Sequence, residues 1–447
     1  MNNPNQPEAA VAAVEDAVRT HSRPADLRIT DMRIAVVTGI CYYPLIRIDT
    51  NQGIYGLGEV RDGGHPESAL RLKHFLLGQN PCNIDMVFNA LRQYGGPGRE
   101  GGGVSGIELA LWDLVGKAYG VPCHQFLGGK YRDRVRIYGD TPAPEALTPE
   151  GYARAVRARA DMGLSFIKFD LPPKLFEGTD GALVGTEARH EYALGRNSRI
   201  AGAGRGAKIS EKGIELAVEI VRAVRAEVGS EISLCVDHFG EGYVTADEAI
   251  RIGTALEPFN LAWIEDPVIW HDVAGHKKVA DALLTPVAGG EDLYLLDGFR
   301  PVVESRAFDV LHPDLLSSGG MLETKRIAEY GAAAGLPTAL HSCCSPIAFM
   351  ANIHCGAAIS SLMAVEHHGL DVPFWEDLVT GLPENYLEDG YVAVPDLPGL
   401  GVDLNLEAIA EHLREPSTLF LPTEAWNKRK AGFERVDPPR YQTQLIR

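Results

Sequence analysis

Ile232-Ser233-Leu234-Cys235-Val236-Asp237, Leu261-Ala262-Trp263-Ile264-Glu265 and Pro286-Val287-Ala288-Gly289-Gly290-Glu291 share one form, a short apolar run closed by an acid. Runs of this length, rich in β-branched and aromatic residues, read as buried strands. The acids stand 28 and 26 residues apart, the length of one strand–helix unit. Helical patterns fill the gaps, at Ile214–Val228 and Ala246–Leu256, and again at Leu322–Ala334. Strand-like runs also occur at Val135–Gly139, Phe166–Phe169, Phe308–Leu311, Pro337–Leu340 and Met363–Val365. Strands alternating with helices predict a parallel sheet with right-handed crossovers. Eight such strands over about 230 residues suit a closed β/α barrel better than the alternative, an open doubly wound sheet.

Upstream the pattern is different. Arg33–Val37, Leu45–Ile48 and Ile54–Val60 read as strands, with the turn Thr50-Asn51-Gln52-Gly53 between the last two. Residues 66–95 read as helix, and a glycine loop at 101–103 precedes a helix over Ile107–Tyr119. The chain thus divides into a flexible tail (1–26), an α+β unit (27–130), the barrel (131–370) and a C-terminal segment (371–447). One barrel connection, 171–210, is long and rich in Gly, Arg and Lys. It follows the C-terminal end of a strand, which places it on the active-site face as a lid; a disordered insert or an interface element is the alternative.

Forty-two Lys and Arg against sixty Asp and Glu leave a net charge of −18 across 447 residues. Such a surface repels phosphate backbones and anionic lipid, which argues against nucleic-acid and membrane partners. It also repels an anionic substrate, so a carboxylate ligand requires a local cation. Seven cysteines, an odd number with no CxxC pair, fit a reduced cytoplasmic setting. The N-terminus lacks a basic start followed by an apolar core, and no apolar stretch is long enough to span a bilayer.

In a barrel, Asp237, Glu265 and Glu291 end adjacent strands at one mouth. Three close carboxylates need a cation to stay ionised in a partly dry site. Oxygen-only ligands suit Mg2+ or Mn2+ rather than zinc. Lys168 and Asp170, two apart in Phe166-Ile167-Lys168-Phe169-Asp170, share a face. Lys168 is a candidate base or a cation that orients a carboxylate. Asp309 and His341, on neighbouring strands, read as a carboxylate–imidazole pair with His341 as general acid/base. Glu366 ends the eighth strand, either hydrogen-bonding a substrate carboxylate when protonated or making a rim salt bridge.

These residues resemble the enolase superfamily, mandelate racemase/muconate lactonizing enzyme branch, from about Arg33 to Asp403. The motifs are Ala110-Leu111-Trp112-Asp113-Leu114 with Gly116-Lys117, Leu127-Gly128-Gly129, Trp263-Ile264-Glu265-Asp266-Pro267, Gly290-Glu291-Asp292, Asp309 through Pro313-Asp314 to Gly319-Gly320, and Pro395-Asp396-Leu397-Pro398-Gly399-Leu400-Gly401. The resemblance implies a (β/α)7β modified TIM barrel, an N-terminal α+β capping domain, a C-terminal segment returning to the cap, and a homo-oligomer. It implies magnesium ligation by Asp237, Glu265 and Glu291, a dyad of His341 with Asp309, and a strand-eight acid at Glu366. Cap loops near Gly39–Tyr43 and Val60–His65 match those that set specificity, making Tyr43, Arg61 and His65 candidate substrate contacts. Two departures stand out. Asp170 replaces the second lysine of the racemases' Lys-x-Lys. Phe239 stands where some dehydratases of the family carry a histidine, and His238 precedes it, facing either the site or outward.

The function expected is that of a hydro-lyase acting on a small carboxylate, an acid-sugar dehydratase. It removes the α-proton and eliminates the β-hydroxyl to give a 2-keto-3-deoxy acid, since polar cap candidates suit a polyhydroxylated substrate. A racemase, epimerase or cycloisomerase shares the first step and is the enzymatic alternative. A barrel that binds a ligand or partner without turnover is the alternative of another class.

Overall fold

A computed structural model describes residues 22–184, 208–237, 244–414 and 417–428. The N-terminal unit is an antiparallel sheet of β1 (Ile29–Thr38), β2 (Tyr42–Thr50) and β3 (Tyr55–Glu59) against the helix α1 (Gly102–Tyr119). Gly53, at φ 77°, takes the left-handed position of the turn between β2 and β3. Gly106 lets α1 meet β3 backbone to backbone, since a Cβ there would stand 2.1 Å from the Glu59 carbonyl oxygen. The expected helix over 66–95 is instead three short ones, Glu67–Leu70, Lys73–Leu76 and Ile84–Leu91. Gly78 at φ 77° and Pro81 interrupt the run. The expected tail is also shorter at its inner end. Ser22 donates to the Ala118 carbonyl (2.9 Å), and Arg23 N–H donates to the Gln52 side chain (2.9 Å).

The eight barrel strands are β4 (Arg134–Gly139), β5 (Phe166–Asp170), β6 (Ser233–Asp237), β7 (Trp263–Glu265), β8 (Val287–Gly289), β9 (Val310–Leu311), β10 (Thr338–Leu340) and β11 (Leu362–His367). All pair in parallel in that order, and β11 pairs with β4 through Val365↔Ile137, Glu366↔Tyr138 and His367↔Gly139. That pairing closes the ring. Among the described residues one main helix fills each of the seven crossovers: α2 (Pro149–Asp161), α3 (Glu211–Val228), α4 (Ala246–Leu256), α5 (Val273–Ala282), α6 (Leu295–Ser305), α7 (Met321–Ala333) and α8 (Pro346–Ala358). One main helix per crossover between eight strands makes a (β/α)7β barrel. The long connection after β5 opens with a helix at Pro173–Glu177, and Leu183–Val184 pairs with Lys208–Ile209. The lid expected over 171–210 otherwise lies outside the described residues.

One residue from each strand plugs the barrel: Tyr138, Phe166, Cys235, Trp263, Ala288, Val310, Ala339 and Ala364. Large rings on β4, β5 and β7 face alanines on β8, β10 and β11, so the layer fills without a channel. Strand side chains repeat every second residue. Two residues onward, toward the C-terminal mouth, stand Asp140, Lys168, Asp237, Glu265, Gly290, His312, His341 and Glu366. The chemistry of the protein is the layer directly above its aromatic plug.

The cap is tied to this mouth by buried polar contacts. Asp113 of α1 accepts from the N–H groups of Leu57 and Leu400 (2.9 Å each) and pairs with Lys117 (2.7 Å). Glu108 accepts from the Met321 and Leu322 N–H groups at the start of α7, and from the Trp112 indole. The chain after β11 runs back to the cap, with Arg414 N–H donating to Val36 O (2.8 Å) and Thr423 to Met32 O.

His354, buried in α8, makes this packing sensitive to pH. Burial holds its imidazole down to about 3. The unfolded chain takes up a proton at this residue near pH 6.5 and the folded chain does not, so acid weakens the fold. In urea titrations, the stability gap between wild type and His354→Gln should narrow by about 1.4 kcal/mol per pH unit from pH 6 to 4. A gap independent of pH would contradict this.

Candidate active site

Each functional side chain comes from a strand end or the loop just beyond it. The Lys168 ammonium of β5 lies 3.0 Å from Asp237 Oδ2, 3.4 Å from Glu265 Oε1 and 2.6 Å from Glu366 Oε1. Burial works against its charge, yet Glu265, Glu366 and Asp237 hold it well above the ordinary lysine range. In this setting Lys168 is a cation rather than a free amine. Gly290, at φ 122°, turns the chain after β8 and brings Glu291 inward. His341 Nε2 lies 3.1 Å from Glu291 Oε2 and 3.7 Å from Glu366 Oε2.

The partner of His341 is Asp314, not Asp309. Asp314 Oδ2 lies 2.6 Å from His341 Nδ1, and the two residues form a parallel bridge just past β9 and β10. Asp309 precedes the inward-facing Val310 and therefore turns outward. It is exposed at the opposite end of the strand, where it accepts from the Val287 N–H (2.9 Å). Five residues at about 3.3 Å each separate the two acids along the chain. The Asp314 contact leaves Nε2 of His341 facing the carboxylates. Burial lowers the imidazole's proton affinity, but Glu291, Glu366 and Asp314 outweigh it and push the group up to about 8.

Glu366 is fully buried, and burial alone would raise its pKa. Lys168, His368 and His341 hold it well below the usual carboxylate range. It is therefore an ionised acceptor, also receiving the Ser342 N–H at 3.2 Å, and not the protonated donor considered from sequence.

Arg61 is likewise corrected. Its guanidinium is buried and held by Glu291 (3.1 Å), Asp62 (3.1 Å), Asp292 (3.6 Å) and Asp314 (3.6 Å). It also donates to the Glu291 carbonyl and the Ser317 hydroxyl. Arg61 is a clamp from the cap that holds the barrel's acids, with its donors already engaged. Removing it leaves several buried carboxylates without their counter-charge. Arg61→Met should therefore cost about 3–5 kcal/mol, read as a lower urea midpoint; an unchanged midpoint would contradict this role.

Tyr43 is buried beneath Gly39, whose Cβ would stand 2.1 Å from its ring, so it shapes the cap loop from below. His65 is exposed on the rim, and no described contact joins its side chain to the carboxylate network. Asp170 is paired in register with Asp237 at the mouth. His238 lies outside the described residues.

Several members of the site went unnoticed in the sequence. Arg99 reaches Asp292 (2.6 Å) and Asp62 (3.0 Å) from the cap. His312 lies 3.2 Å from Glu265 Oε1 and is hydrogen-bonded to the Tyr138 hydroxyl. His368 bridges Glu366 Oε1 (3.1 Å) and Asp140 Oδ2 (3.2 Å). The two-residue period from the plug layer would have identified His312 and Asp140.

The three expected metal ligands end adjacent strands and are all buried. They are not drawn together as one set. Among the described residues the ligand atoms within 4.8 Å of one another belong to His341, Glu366 and His368. Asp237 and Glu265 lean toward Lys168, whereas Glu291 leans toward Arg61 and His341. The charge balance nonetheless fits a cation. Eight linked carboxylates (Asp62, Asp140, Asp237, Glu265, Glu291, Asp292, Asp314, Glu366) face three permanent cations (Lys168, Arg61, Arg99). An acid-rich set of oxygen donors of this kind would suit a hard divalent cation such as Mg2+.

Comparison with known proteins agrees with this architecture. Residues 152–409 match the enolase C-terminal domain-like family, and residues 10–128 match the mandelate racemase/muconate lactonizing enzyme N-terminal domain. A D-xylonate dehydratase of Haloferax volcanii is 36% identical over 403 residues, covering 88% of this chain and 91% of its own. A D-galactonate dehydratase of Verminephrobacter eiseniae is 27% identical, covering 83% and 91%. The crystal structure of a mandelate racemase/muconate lactonizing enzyme-like protein from Rubrobacter xylanophilus superposes with TM-score 0.77 at 30% identity, covering 88% and 99%. With a closed parallel barrel, an antiparallel cap and an acid-lined mouth, the chain belongs to the mandelate racemase/muconate lactonizing enzyme branch of the enolase superfamily.

Proposed function

We propose that this chain is a magnesium-dependent acid-sugar dehydratase, a hydro-lyase converting an aldonic acid to its 2-keto-3-deoxy acid. The observation that carries the reading is His341, held at Nδ1 by Asp314 with Nε2 facing the buried carboxylates. The relatives named D-xylonate and D-galactonate dehydratase support the substrate class.

The α-proton of a carboxylate is weakly acidic, so its removal needs a base and a place for the charge that develops on oxygen. Asp237, Glu265 and Glu291 would hold Mg2+, which when bound supplies positive charge beside the substrate carboxylate. His341 accepts the α-proton at Nε2, while Asp314 fixes the ring and stabilises the resulting imidazolium. Lys168 supplies a second positive charge near the substrate carboxylate. Glu366, ionised between Lys168 and His341, keeps both groups oriented. The cap, docked through Arg61, Glu59 and Glu108, covers the mouth and limits water.

No helix among the described residues is long and apolar enough to cross a membrane. Seven free cysteines support a reduced, cytoplasmic setting, and we extend the family's oligomeric habit to this chain. The test is a screen of D-xylonate, D-galactonate and related aldonic and aldaric acids with Mg2+, trapping 2-keto products as semicarbazones. A semicarbazone signal from at least one aldonic acid is expected. Optical change without any keto product would favour the epimerase alternative.

A further inference from the structure

Elimination moves two protons in opposite senses: one leaves C2, and one must reach the departing C3 oxygen. His341 accounts for the first. Lys168 is 2% exposed and enclosed by three carboxylates, whereas the His368 side chain is 15% exposed. The end of β11 explains its aim. His367 turns outward, stacks on Phe349 and is hydrogen-bonded to the Tyr386 hydroxyl (2.6 Å). The next residue, His368, then turns inward, beside the end of β4. There Asp140 Oδ2 lies 3.2 Å from Nδ1, and Glu366 Oε1 lies 3.1 Å from Nε2.

The result repeats the His341 arrangement. Each imidazole carries an aspartate at Nδ1, and the two Nε2 atoms approach opposite oxygens of one carboxylate, Glu366. The rings lie 5.8 Å apart between centroids, so both imidazoles front the same small region.

We propose that His368, oriented by Asp140, is the general acid that protonates the departing β-hydroxyl. This rests on the dehydratase reading. The C2–H bond breaks and its proton goes to His341. Its electron pair forms the C2–C3 double bond as the C3–O bond breaks, and the oxygen takes the His368 proton and leaves as water. The enol then ketonises, C3 gaining a proton and the C2 hydroxyl losing one, which restores both histidines. Burial disfavours charge on His368, but Asp140 and Glu366 beside it outweigh that and raise its affinity for a proton above the ordinary imidazole range. Asp140 is a positioning residue.

Fluoride leaves carbon without needing a proton, so a 3-deoxy-3-fluoro substrate bypasses the general acid. The test uses whichever of D-xylonate and D-galactonate the wild-type enzyme dehydrates, with its 3-fluoro counterpart, and compares wild type with His368→Asn and His368→Gln. Water elimination should fall on the order of 10²-fold or more, while fluoride release stays within about threefold of wild type. Fluoride release retained by either variant also shows that its site is folded. Equal losses on both substrates in both variants, or no loss on either, would overturn the proposal. A wild-type enzyme that dehydrates neither acid would instead count against the dehydratase reading.

Discussion

Asp314→Asn is expected to lower turnover by roughly 10³-fold, whereas Asp309→Asn should leave it within about twofold. The two acids are five residues apart in one segment, yet they lie at opposite ends of β9. Asp314 accepts from His341 Nδ1 at 2.6 Å, and so keeps Nε2 available to take a proton. An amide in its place can donate to Nδ1, which moves the ring hydrogen to Nε2 and removes the base. Asp309 has no such reach, because its oxygen caps the Val287 N–H on the exposed side. Steady-state kinetics of the two variants side by side, with thermal melts to verify folding, checks this. Equal activity losses would show that the pairing in the structure is not the working one.

The second large effect is expected at the cation. Asp237→Asn keeps the volume of the side chain and removes its charge. Mg2+ binding, followed by calorimetry, should weaken on the order of 10²-fold, and turnover should fall roughly 10³-fold at subsaturating metal. The physical cause is the charge balance at the mouth, where the described carboxylates outnumber the available cations. Chelation of the wild-type protein should abolish turnover, with recovery on adding Mg2+. A variant that titrates like wild type would remove Asp237 from the ligand set.

Much of this was legible in the sequence because barrel strands carry their own period. The plug residues Cys235 and Trp263 are each followed two positions later by an acid, and the same spacing leads from Phe166 to Lys168 and from Ala339 to His341. Helix starts were less legible. α3 begins at Glu211 rather than Ile214, because the Ser210 side chain accepts from the Gly213 N–H and caps a polar first turn. Asp314 was hidden by its position past the strand end, after Pro313, where strand periodicity no longer indicates direction. The Asp140–His368 pair depends on β4 closing against β11, a contact between residues more than two hundred positions apart. Arg61 was read as a substrate contact because nothing local shows that the cap inserts it among the barrel's acids. Its burial comes from docking, which residue type and spacing do not encode.

The account depends above all on where one proton goes. Dehydration of an aldonic acid in deuterium oxide, followed by proton and carbon NMR, locates it. A 2-keto-3-deoxy product that has lost the C2 proton is expected, carrying deuterium at C3 because the imidazolium of His341 exchanges with solvent before C3 is protonated. Recovery of the starting acid or its epimer with deuterium at C2, and no keto carbon, would contradict it.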